Sequence, residues 1–210
     1  MQKIILALPK GRILHELKPF LKKIDIDVEE DFFDENSRKL IFSTNFQNLE
    51  VVKVRSVDVA NIVKFQGADI GVCGKDVIEE FLSPEFYSVL DLGIGKCRLS
   101  LAHLKDINFN INSNKQIRVA TKYPNITQNY FNNLGIQVEL IKLNGAIEIA
   151  TKLKLCDYIV DLVSSGKTLA ENQMIENLKI LDVSSHLIVN RTSLKTKNPQ
   201  LHQIINKFNV

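Results

Sequence analysis

The chain has 210 residues, 45% apolar and 24% charged, which is the profile of a globular protein with enough apolar material to form a core. Its 27 basic and 24 acidic residues leave a net charge of only +3 and are scattered, which argues against a nucleic-acid-binding surface. Three widely separated cysteines without a C-x-x-C pair support neither a disulfide framework nor a zinc site, and no apolar run approaches the length of a membrane span.

Strand-like and helix-like segments alternate along the first half of the chain. The apolar residues 4–8 predict a buried strand; they are too few for a signal peptide and no cleavage site follows, so we expect a cytoplasmic protein. Ser56 is predicted to cap a helix that Gly67 ends. The other predicted elements are an amphipathic helix over residues 13–24, strands over residues 40–42, 49–54, 70–72 and 89–92, and an acidic helix over residues 76–82.

The same alternation continues after Gly93 and Gly95. Pro124 and Gly135 predict the two ends of a helix, because proline favours the first turn and glycine the residue after the last. The remaining predicted elements are strands over residues 99–102, 117–120, 138–141, 158–163, 180–183 and 187–189, and helices over residues 146–153 and 201–208. This order predicts an α/β protein with mostly parallel sheets, in which ligands bind at the carboxyl ends of the strands.

The most informative segment follows the strand predicted at residues 158–163. It begins with Asp161 and continues into a short run that we call the phosphate loop, namely Ser164, Ser165, Gly166, Lys167 and Thr168. Small, hydroxyl-bearing residues and glycine between a strand and a helix predict an anion site, because backbone N–H groups and the helix dipole converge there. An ordinary turn with a serine or threonine cap is the simpler interpretation, but it accounts for only one hydroxyl.

The phosphate loop ends like the P-loop pattern G-x-x-x-x-G-K-[ST]. The first glycine of that pattern would fall at position 161, where Asp161 stands instead. A Cβ and a carboxylate at that point would oppose a tight wrap around a polyphosphate, so we reject the P-loop interpretation. A carboxylate does accept hydrogen bonds from sugar hydroxyls, so Asp161 followed by this loop predicts a site for a ribose 5-phosphate.

Other candidate anion-binding residues lie at the ends of predicted strands. Lys10, Gly11 and Arg12 follow the first strand and open the first helix, where two cations and a glycine favour an anion, although solvated surface charges would explain them too. Arg55 ends one predicted strand and Arg38 precedes another. Both can stabilise a triphosphate or a leaving pyrophosphate, and a surface salt bridge is the alternative for each.

Gly74 and Glu148 complete the set of candidates. Gly74 follows the strand predicted at residues 70–72, where glycine lets a backbone approach a ligand closely or simply satisfies packing. Glu148 lies near the predicted start of the helix over residues 146–153. It is either a ribose ligand or a favourable acid in the first helical turn.

Taken together, these segments resemble the ATP phosphoribosyltransferase family. The matching segments keep the family's order and span almost the whole chain: residues 7–12, 55–76, 92–97, 118–125, 161–169 and 184–190. Each segment alone is weak evidence for the family, but together the segments are specific to it. The chain departs from the family upstream of the phosphate loop, where Pro, Gly and a small residue are usual and Thr151, Lys154 and Cys156 stand here.

The resemblance implies a two-lobed α/β fold like that of type II periplasmic binding proteins, with the active site in a cleft between the lobes. Lobe I would comprise residues 1–93 plus 183–210, and lobe II residues 94–182 with the phosphate loop. Long members of the family carry a C-terminal domain that binds histidine, and the length of this chain resembles the short form. Short forms resemble catalytic subunits that work with a regulatory subunit related to histidyl-tRNA synthetase. We also expect a homodimer, and neither a nucleic-acid nor a membrane partner.

The resemblance also implies the reaction of ATP with phosphoribosyl pyrophosphate. N1 of adenine would attack C1 of the ribose and pyrophosphate would leave, giving N1-(5-phosphoribosyl)-ATP in the first step of histidine biosynthesis. Asp161, Glu148 and the phosphate loop would bind phosphoribosyl pyrophosphate, and Mg²⁺ would be the cofactor, held mainly by pyrophosphate oxygens and water. The expected catalytic residues are Arg55, Lys10 and Arg38. The expected ATP-binding residues are Lys10, Gly11, Arg12, Arg55 and Gly74.

Two alternatives stay open at this point. A two-lobed small-molecule-binding protein without catalysis would carry a secretion signal and would not need two phosphate sites. A phosphoribosyltransferase for another base would usually carry two adjacent acids before its loop, whereas Val160 precedes Asp161 here.

Overall fold

A computed structural model describes residues 2–11, 13–34, 36–107, 109–111 and 116–209. The chain forms two compact units: unit 1 comprises Met1–Gly95 and Ser184–Val210, and unit 2 comprises Lys96–Val183. The lobe boundaries predicted after residues 93 and 182 fall two residues and one residue earlier than these divisions. Within the described residues, no helix is both long enough and apolar enough to pass through a membrane.

The described elements alternate as the sequence pattern predicts, although several ends differ. The strands are β1 (Ile4–Lys10), β2 (Ile41–Ser43), β3 (Leu49–Arg55), β4 (Ile70–Gly74), β5 (Phe86–Asp91), β6 (Cys97–Leu104), β7 (Ile117–Thr121), β8 (Val138–Lys142), β9 (Tyr158–Val163), β10 (Met174–Val183) and β11 (Ser185–Asn190). The helices are α1 (Leu14–Lys23), α2 (Ser56–Lys64), α3 (Lys75–Phe81), α4 (Pro124–Asn133), α5 (Ile149–Lys152), α6 (Lys167–Glu171), α7 (Arg191–Thr196) and α8 (Asn198–Phe208).

Each unit contains one mixed sheet. Sheet 1, in unit 1, has the order β2-β3-β1-β4-β11-β5, and sheet 2, in unit 2, has the order β10-β6-β9-β7-β8. β3, β1 and β4 are parallel, as are β8, β7 and β9, whereas β11 and β6 run antiparallel to both of their neighbours. The prediction of mostly parallel sheets is therefore wrong. The reason is that β2, β6 and β11 run opposite to the other strands of their sheets, and β6 and β11 are each the first strand after a passage from one unit to the other.

Helices cover both faces of sheet 1. Alternate residues of β1 point to opposite faces, so Leu6 packs in one apolar cluster with Leu17 of α1, and Ala7 packs in the other with Val59 of α2. Gly71 on β4 lies directly under α2, because a Cβ at this position would be only 2.6 Å from Cγ1 of Val59. Glycine at position 71 therefore permits this close approach of helix to strand.

Sheet 2 is covered in the same way. Phe131 of α4 packs with Val119 of β7 on one face. Ala150 of α5 and Leu169 of α6 pack with Ile159 of β9 on the other. The strand that leads into the phosphate loop is thus fixed by buried side chains on both of its faces.

A buried carboxylate anchors the returning segment of unit 1. Asp69 accepts hydrogen bonds from the backbone N–H of Ile5 at 2.9 Å and from the Oγ of Ser193 at 2.6 Å. It also forms an ion pair with Lys197, whose Nζ lies 2.9 Å from Oδ1. One buried side chain therefore connects β1 to α7 and to the residue that precedes α8.

Several predicted helix ends are wrong. Ser56 is the first residue of α2 and not its cap; Arg55 occupies the cap position without a side-chain hydrogen bond. The left-handed residue that follows α2 is Gln66, with φ of +62°, and not Gly67, which we predicted to end the helix. α5 is shorter than predicted because Ala146 has φ of +48°, a conformation that interrupts a right-handed helix. β10 starts six residues before the predicted strand, and α7 was not predicted.

His186 on β11 makes the stability of unit 1 sensitive to pH. Its Nδ1 lies 2.9 Å from the Oγ of Ser88 and its Nε2 lies 3.3 Å from the Oγ of Ser184. Burial lowers the pKa of His186 below its ordinary value of 6.5, although Asp91 opposes the shift. The unfolded chain therefore binds this proton more readily, so the stabilising contribution exists above pH 6.5 and is lost as the pH falls through the lower pKa of the folded state.

We expect acidification below pH 6.5 to lower the Tm less steeply in His186→Gln than in the unaltered protein. Thermal unfolding at a series of pH values measures this slope. His202→Gln, which changes an exposed histidine on α8, is the matched control and should keep the original slope. Equal slopes for all three proteins would contradict the expectation.

Candidate active site

The phosphate loop connects β9 to α6. Ser164 and Ser165 are exposed, and Gly166 follows them at the N-cap position of α6 with φ of +77°. The backbone N–H of Lys167 points to the Oγ of Ser165 at 3.4 Å. A left-handed residue beside right-handed helical residues presents consecutive N–H groups to one side, and such a concavity suits an anion.

The contribution of the helix dipole is smaller than the sequence-based argument assumes. α6 has only five residues, and the dipole of a helix grows with the number of aligned peptide units. The capacity of the loop to bind an anion therefore depends on its own N–H and hydroxyl groups and on Lys167. The ammonium group of Lys167 is exposed and lies 3.9 Å from the carboxylate of Glu171.

The two predicted ribose-binding carboxylates belong to the same unit as the phosphate loop. Asp161 is half-buried on β9 opposite Ser100 of β6, and its Oδ1 accepts a hydrogen bond from the N–H of Leu162 at 2.8 Å. Glu148 is half-buried immediately before α5, where its backbone carbonyl accepts a hydrogen bond from the Oγ1 of Thr151 at 2.8 Å.

Two charged residues that the sequence analysis missed lie beside the phosphate loop. Arg98, near the start of β6, donates from Nη1 to the backbone carbonyl of Ser164 at 3.3 Å and from Nε and Nη2 to Glu176 at 2.5 Å each. Ser100 donates from Oγ to Glu176 at 2.8 Å. The hydrogen bond from Arg98 holds the pKa of Glu176 below its ordinary range. The sequence did contain a signal for Arg98: the polar residues Arg98 and Ser100 alternate with apolar residues along one strand.

The predicted residues of unit 1 meet at one edge of sheet 1. Lys10 and Arg55 end the parallel strands β1 and β3 and are directly opposite each other in the register. Gly74 ends β4, which pairs with β1 on its other side. Lys10 and Arg55 are exposed, whereas Gly74 is buried. Two cations and a glycine therefore share the carboxyl edge, the usual ligand-binding edge of such a sheet.

The positions of the other candidate residues of unit 1 are described in less detail by the structure. Gly11 has φ of +98° with open space around its Cβ position, and Arg12 lies outside the described residues. Arg38 is exposed and precedes β2. Because β2 runs antiparallel to β3, the beginning of β2 lies towards the end of β3, where Arg55 is found.

The turn upstream of β9 keeps a left-handed residue although the sequence departs from the family pattern there. Lys154 stands where glycine is usual and has φ of +56°. Thr151 and Cys156 are buried on either side of it, and burial raises the pKa of the Cys156 thiol. The backbone at Lys154 thus adopts a conformation that favours glycine, at a cost of about 1 kcal/mol for a side chain.

Comparisons with known proteins cover nearly the whole chain. The family model of ATP phosphoribosyltransferase matches residues 55–210. The ATP phosphoribosyltransferase of Rhodospirillum rubrum is 49% identical over 208 residues, which are 98% of this chain and 92% of the relative. That of Gluconobacter oxydans is 48% identical over 206 residues, which are 98% of this chain and 86% of the relative.

Solved structures agree on the fold. The ATP phosphoribosyl transferase (HisG:HisZ) complex from Thermotoga maritima contains a chain with a TM-score of 0.81 at 29% identity, covering 98% of this chain and 96% of that one. The alkanesulfonate-binding protein SsuA from Xanthomonas axonopodis pv. citri has a TM-score of 0.61 at 10% identity, covering 100% of this chain and 72% of that one, which bears on the fold alone. The fold is thus the two-lobed α/β fold of type II periplasmic binding proteins, and the chain belongs to the ATP phosphoribosyltransferase family.

Proposed function

We propose that unit 2 binds phosphoribosyl pyrophosphate and unit 1 binds ATP in the reaction of this family. ATP phosphoribosyltransferases are pentosyltransferases of the first step of histidine biosynthesis, and membership in the family gives this chain that activity. N1 of adenine attacks C1 of the ribose, and pyrophosphate leaves. The observation that carries the assignment of units is the phosphate loop after β9, with Asp161 ahead of it.

In unit 2, the phosphate loop is proposed to bind the 5-phosphate. Its backbone N–H groups, the hydroxyls of Ser164, Ser165 and Thr168 and the ammonium group of Lys167 are all suitable donors. Apart from its chain neighbours and the adjoining helix, no atom of the described residues lies within 4 Å of the Cβ position of Gly166, so the loop has an open side there. Asp161 is proposed to accept hydrogen bonds from the ribose hydroxyls, and Glu148 to assist it.

In unit 1, Lys10 and Arg55 are proposed to bind the phosphates of ATP and to stabilise the leaving pyrophosphate. Their adjacent strand ends place the two cations on neighbouring strands of one edge, so that both can contact the same polyphosphate. Gly11 and Gly74 are proposed to let the backbone approach the nucleotide, and Arg12 and Arg38 to add positive charge.

The chemistry then depends on position and charge. A ribose C1 that loses pyrophosphate before the new bond is complete has oxocarbenium character, so little proton transfer is required of the protein. Catalysis consists of holding N1 and C1 in line and of stabilising the negative charge that develops on the pyrophosphate. Arg55 and Lys10, with Arg38, are proposed to supply that stabilisation.

We propose Mg²⁺ as the cofactor, bound chiefly by phosphate oxygens and water. Among the residues that the structure describes, no three His, Cys, Asp or Glu side chains are grouped to hold a metal ion. A magnesium ion that arrives bound to the pyrophosphate needs at most one or two carboxylates from the protein. It therefore does not require a cluster of three protein ligands. When bound, the ion would neutralise charge on the leaving group.

We further propose that the chain acts as the short-form catalytic subunit, as a homodimer that joins a HisZ-like regulatory subunit. The support is the similarity, over nearly the full length of both chains, to a chain of the HisG:HisZ complex. Because its substrates are cytoplasmic metabolites, we propose that the enzyme works in the cytoplasm.

The proposed function is tested by ultraviolet absorbance of the purified chain, alone and with its HisZ-like subunit, in mixtures of ATP and phosphoribosyl pyrophosphate. We expect an absorbance change and pyrophosphate release with ATP, and neither with adenine, hypoxanthine or uracil. Turnover of a free base but not of ATP would assign the chain to another phosphoribosyltransferase class. Binding of both ligands without product, even with the regulatory subunit, would support a binding protein.

A further inference from the structure

Arg98 of β6 forms a hydrogen bond to the first residue of the phosphate loop. Its Nη1 donates to the carbonyl of Ser164 at 3.3 Å. In the register of sheet 2, Arg98 is directly opposite Val163, the last residue of β9. The guanidinium group thus lies at the point where β9 ends and the loop begins.

Fixing the carbonyl of Ser164 also fixes the N–H that follows it. The peptide between Ser164 and Ser165 is planar and trans, so the N–H of Ser165 points away from the carbonyl that Arg98 binds. The N–H of Ser165 is therefore oriented by the hydrogen bond on the opposite side of the same peptide. Because the loop residues are exposed, they have few packing contacts to set this orientation.

Glu176 fixes the guanidinium group in turn. Its two carboxylate oxygens accept from Nε and Nη2 of Arg98, which defines the plane of the guanidinium group and leaves Nη1 directed at the loop. Oε1 also accepts from the Oγ of Ser100, a buried residue of β6. The carboxylate balances the charge of Arg98, so Arg98 is engaged before any phosphate arrives.

We propose that Arg98, held by Glu176 and Ser100, is a positioning residue that orients the phosphate loop for the 5-phosphate of phosphoribosyl pyrophosphate. This inference rests on the proposed function. It assigns Arg98 a role through the loop and not by contact with either substrate, since three of its five N–H donors are already hydrogen-bonded within the protein. Loss of the arrangement should weaken the binding of phosphoribosyl pyrophosphate and leave the binding of ATP unchanged.

The test compares Arg98→Lys with the unaltered chain. Lysine keeps the charge but cannot bind Glu176 with two donors while directing a third at Ser164. Calorimetric titration of the full chain with phosphoribosyl pyrophosphate and Mg²⁺, without ATP, should show a Kd about tenfold higher in the variant. A separate titration with ATP should give the same Kd in both proteins. Glu176→Gln, which retains one acceptor oxygen, should give a smaller increase.

Two further variants separate positioning from general stability. Lys179→Met removes an exposed cation of β10 that pairs with Asp182, and it should leave both Kd values unchanged. The double variant Arg98→Met with Glu176→Met replaces the ion pair by apolar side chains and should unfold near the original temperature. Its Kd for phosphoribosyl pyrophosphate should nevertheless stay raised. Recovery of that Kd together with stability would overturn the proposal.

The outcomes distinguish the two levels of inference. If the unaltered chain does not bind phosphoribosyl pyrophosphate, the proposed function of unit 2 fails. If the unaltered chain binds it and Arg98→Lys binds it equally well, only the role of Arg98 fails. Equal weakening for ATP and phosphoribosyl pyrophosphate would likewise overturn the positioning role, since it would indicate a general loss of structure.

Discussion

Replacement of Arg55 by alanine is expected to lower kcat about a hundredfold while the protein remains folded. Arg55 is exposed at the end of β3 and opposite Lys10, so its removal leaves no cavity and no buried partner without a hydrogen bond. A preorganised donor that stabilises developing negative charge contributes about 3 kcal/mol to the transition state, which corresponds to that factor. Steady-state turnover of the chain with its regulatory subunit measures the effect.

Two companion variants sharpen this test. Lys64→Ala removes a cation at the other end of α2 and should leave kcat unchanged. Arg55→Lys keeps the charge but loses the planar pair of donors, so it should recover only part of the rate. If Arg55→Ala turns over as fast as the unaltered enzyme, Arg55 has no role in stabilising the leaving group.

Replacement of Asp69 by alanine is expected to lower the free energy of unfolding by about 3–5 kcal/mol. Asp69 is 5% exposed, and its side chain accepts hydrogen bonds from Ile5, Ser193 and Lys197. Its loss leaves a strand N–H, a buried hydroxyl and an ammonium group without their acceptor. Urea unfolding measures the change, and the Tm should fall by roughly 10 °C for a chain of this size.

Asp69→Asn is the matched control, because the amide keeps the shape and one acceptor oxygen. It should retain the bonds to Ile5 or Ser193 but weaken the one to Lys197, so its loss of stability should be about half as large. Lys179→Met, which removes an exposed cation in unit 2, should change stability little. A loss below about 1 kcal/mol for Asp69→Ala would mean that water replaces all three bonds.

The sequence predicted best those strands that are buried on both faces. β1 contains a short continuous apolar run, and β9 is apolar except for Asp161; each is followed at once by polar or glycine residues, and this contrast predicts both the strand and its end. Because the carboxyl ends of neighbouring parallel strands share an edge, the same pattern was enough to bring Lys10 and Arg55 together.

The elements that the sequence did not predict lack such a contrast. The unpredicted part of β10, residues 174–179, includes Glu176, Asn177 and Lys179, and two irregularities in its register with β6 interrupt the alternation. α7 has no apolar periodicity; it begins where the side chain of Asn190 accepts hydrogen bonds from the N–H groups of Thr192 and Ser193.

Local sequence patterns do not predict contacts between residues that are far apart in the sequence. Arg98 and Glu176 are 78 positions apart, and neither spacing nor composition connects them. Similarly, Arg55 rather than Ser56 occupies the cap position of α2, which depends on how β3 enters the helix. Strand ends can thus be located from the sequence, whereas the side chains that orient them depend on the folded register.

The order of strands in sheet 1 has a consequence for synthesis on the ribosome. β11 lies between β4 and β5 but is made after the whole of unit 2. Until Ser185–Asn190 emerge, β5 has no neighbour in the sheet and β4 has one open edge, whereas unit 2 already has all of its strands. The nascent polypeptide therefore completes unit 2 first, and truncated products that stop before β11 expose strand edges that invite aggregation.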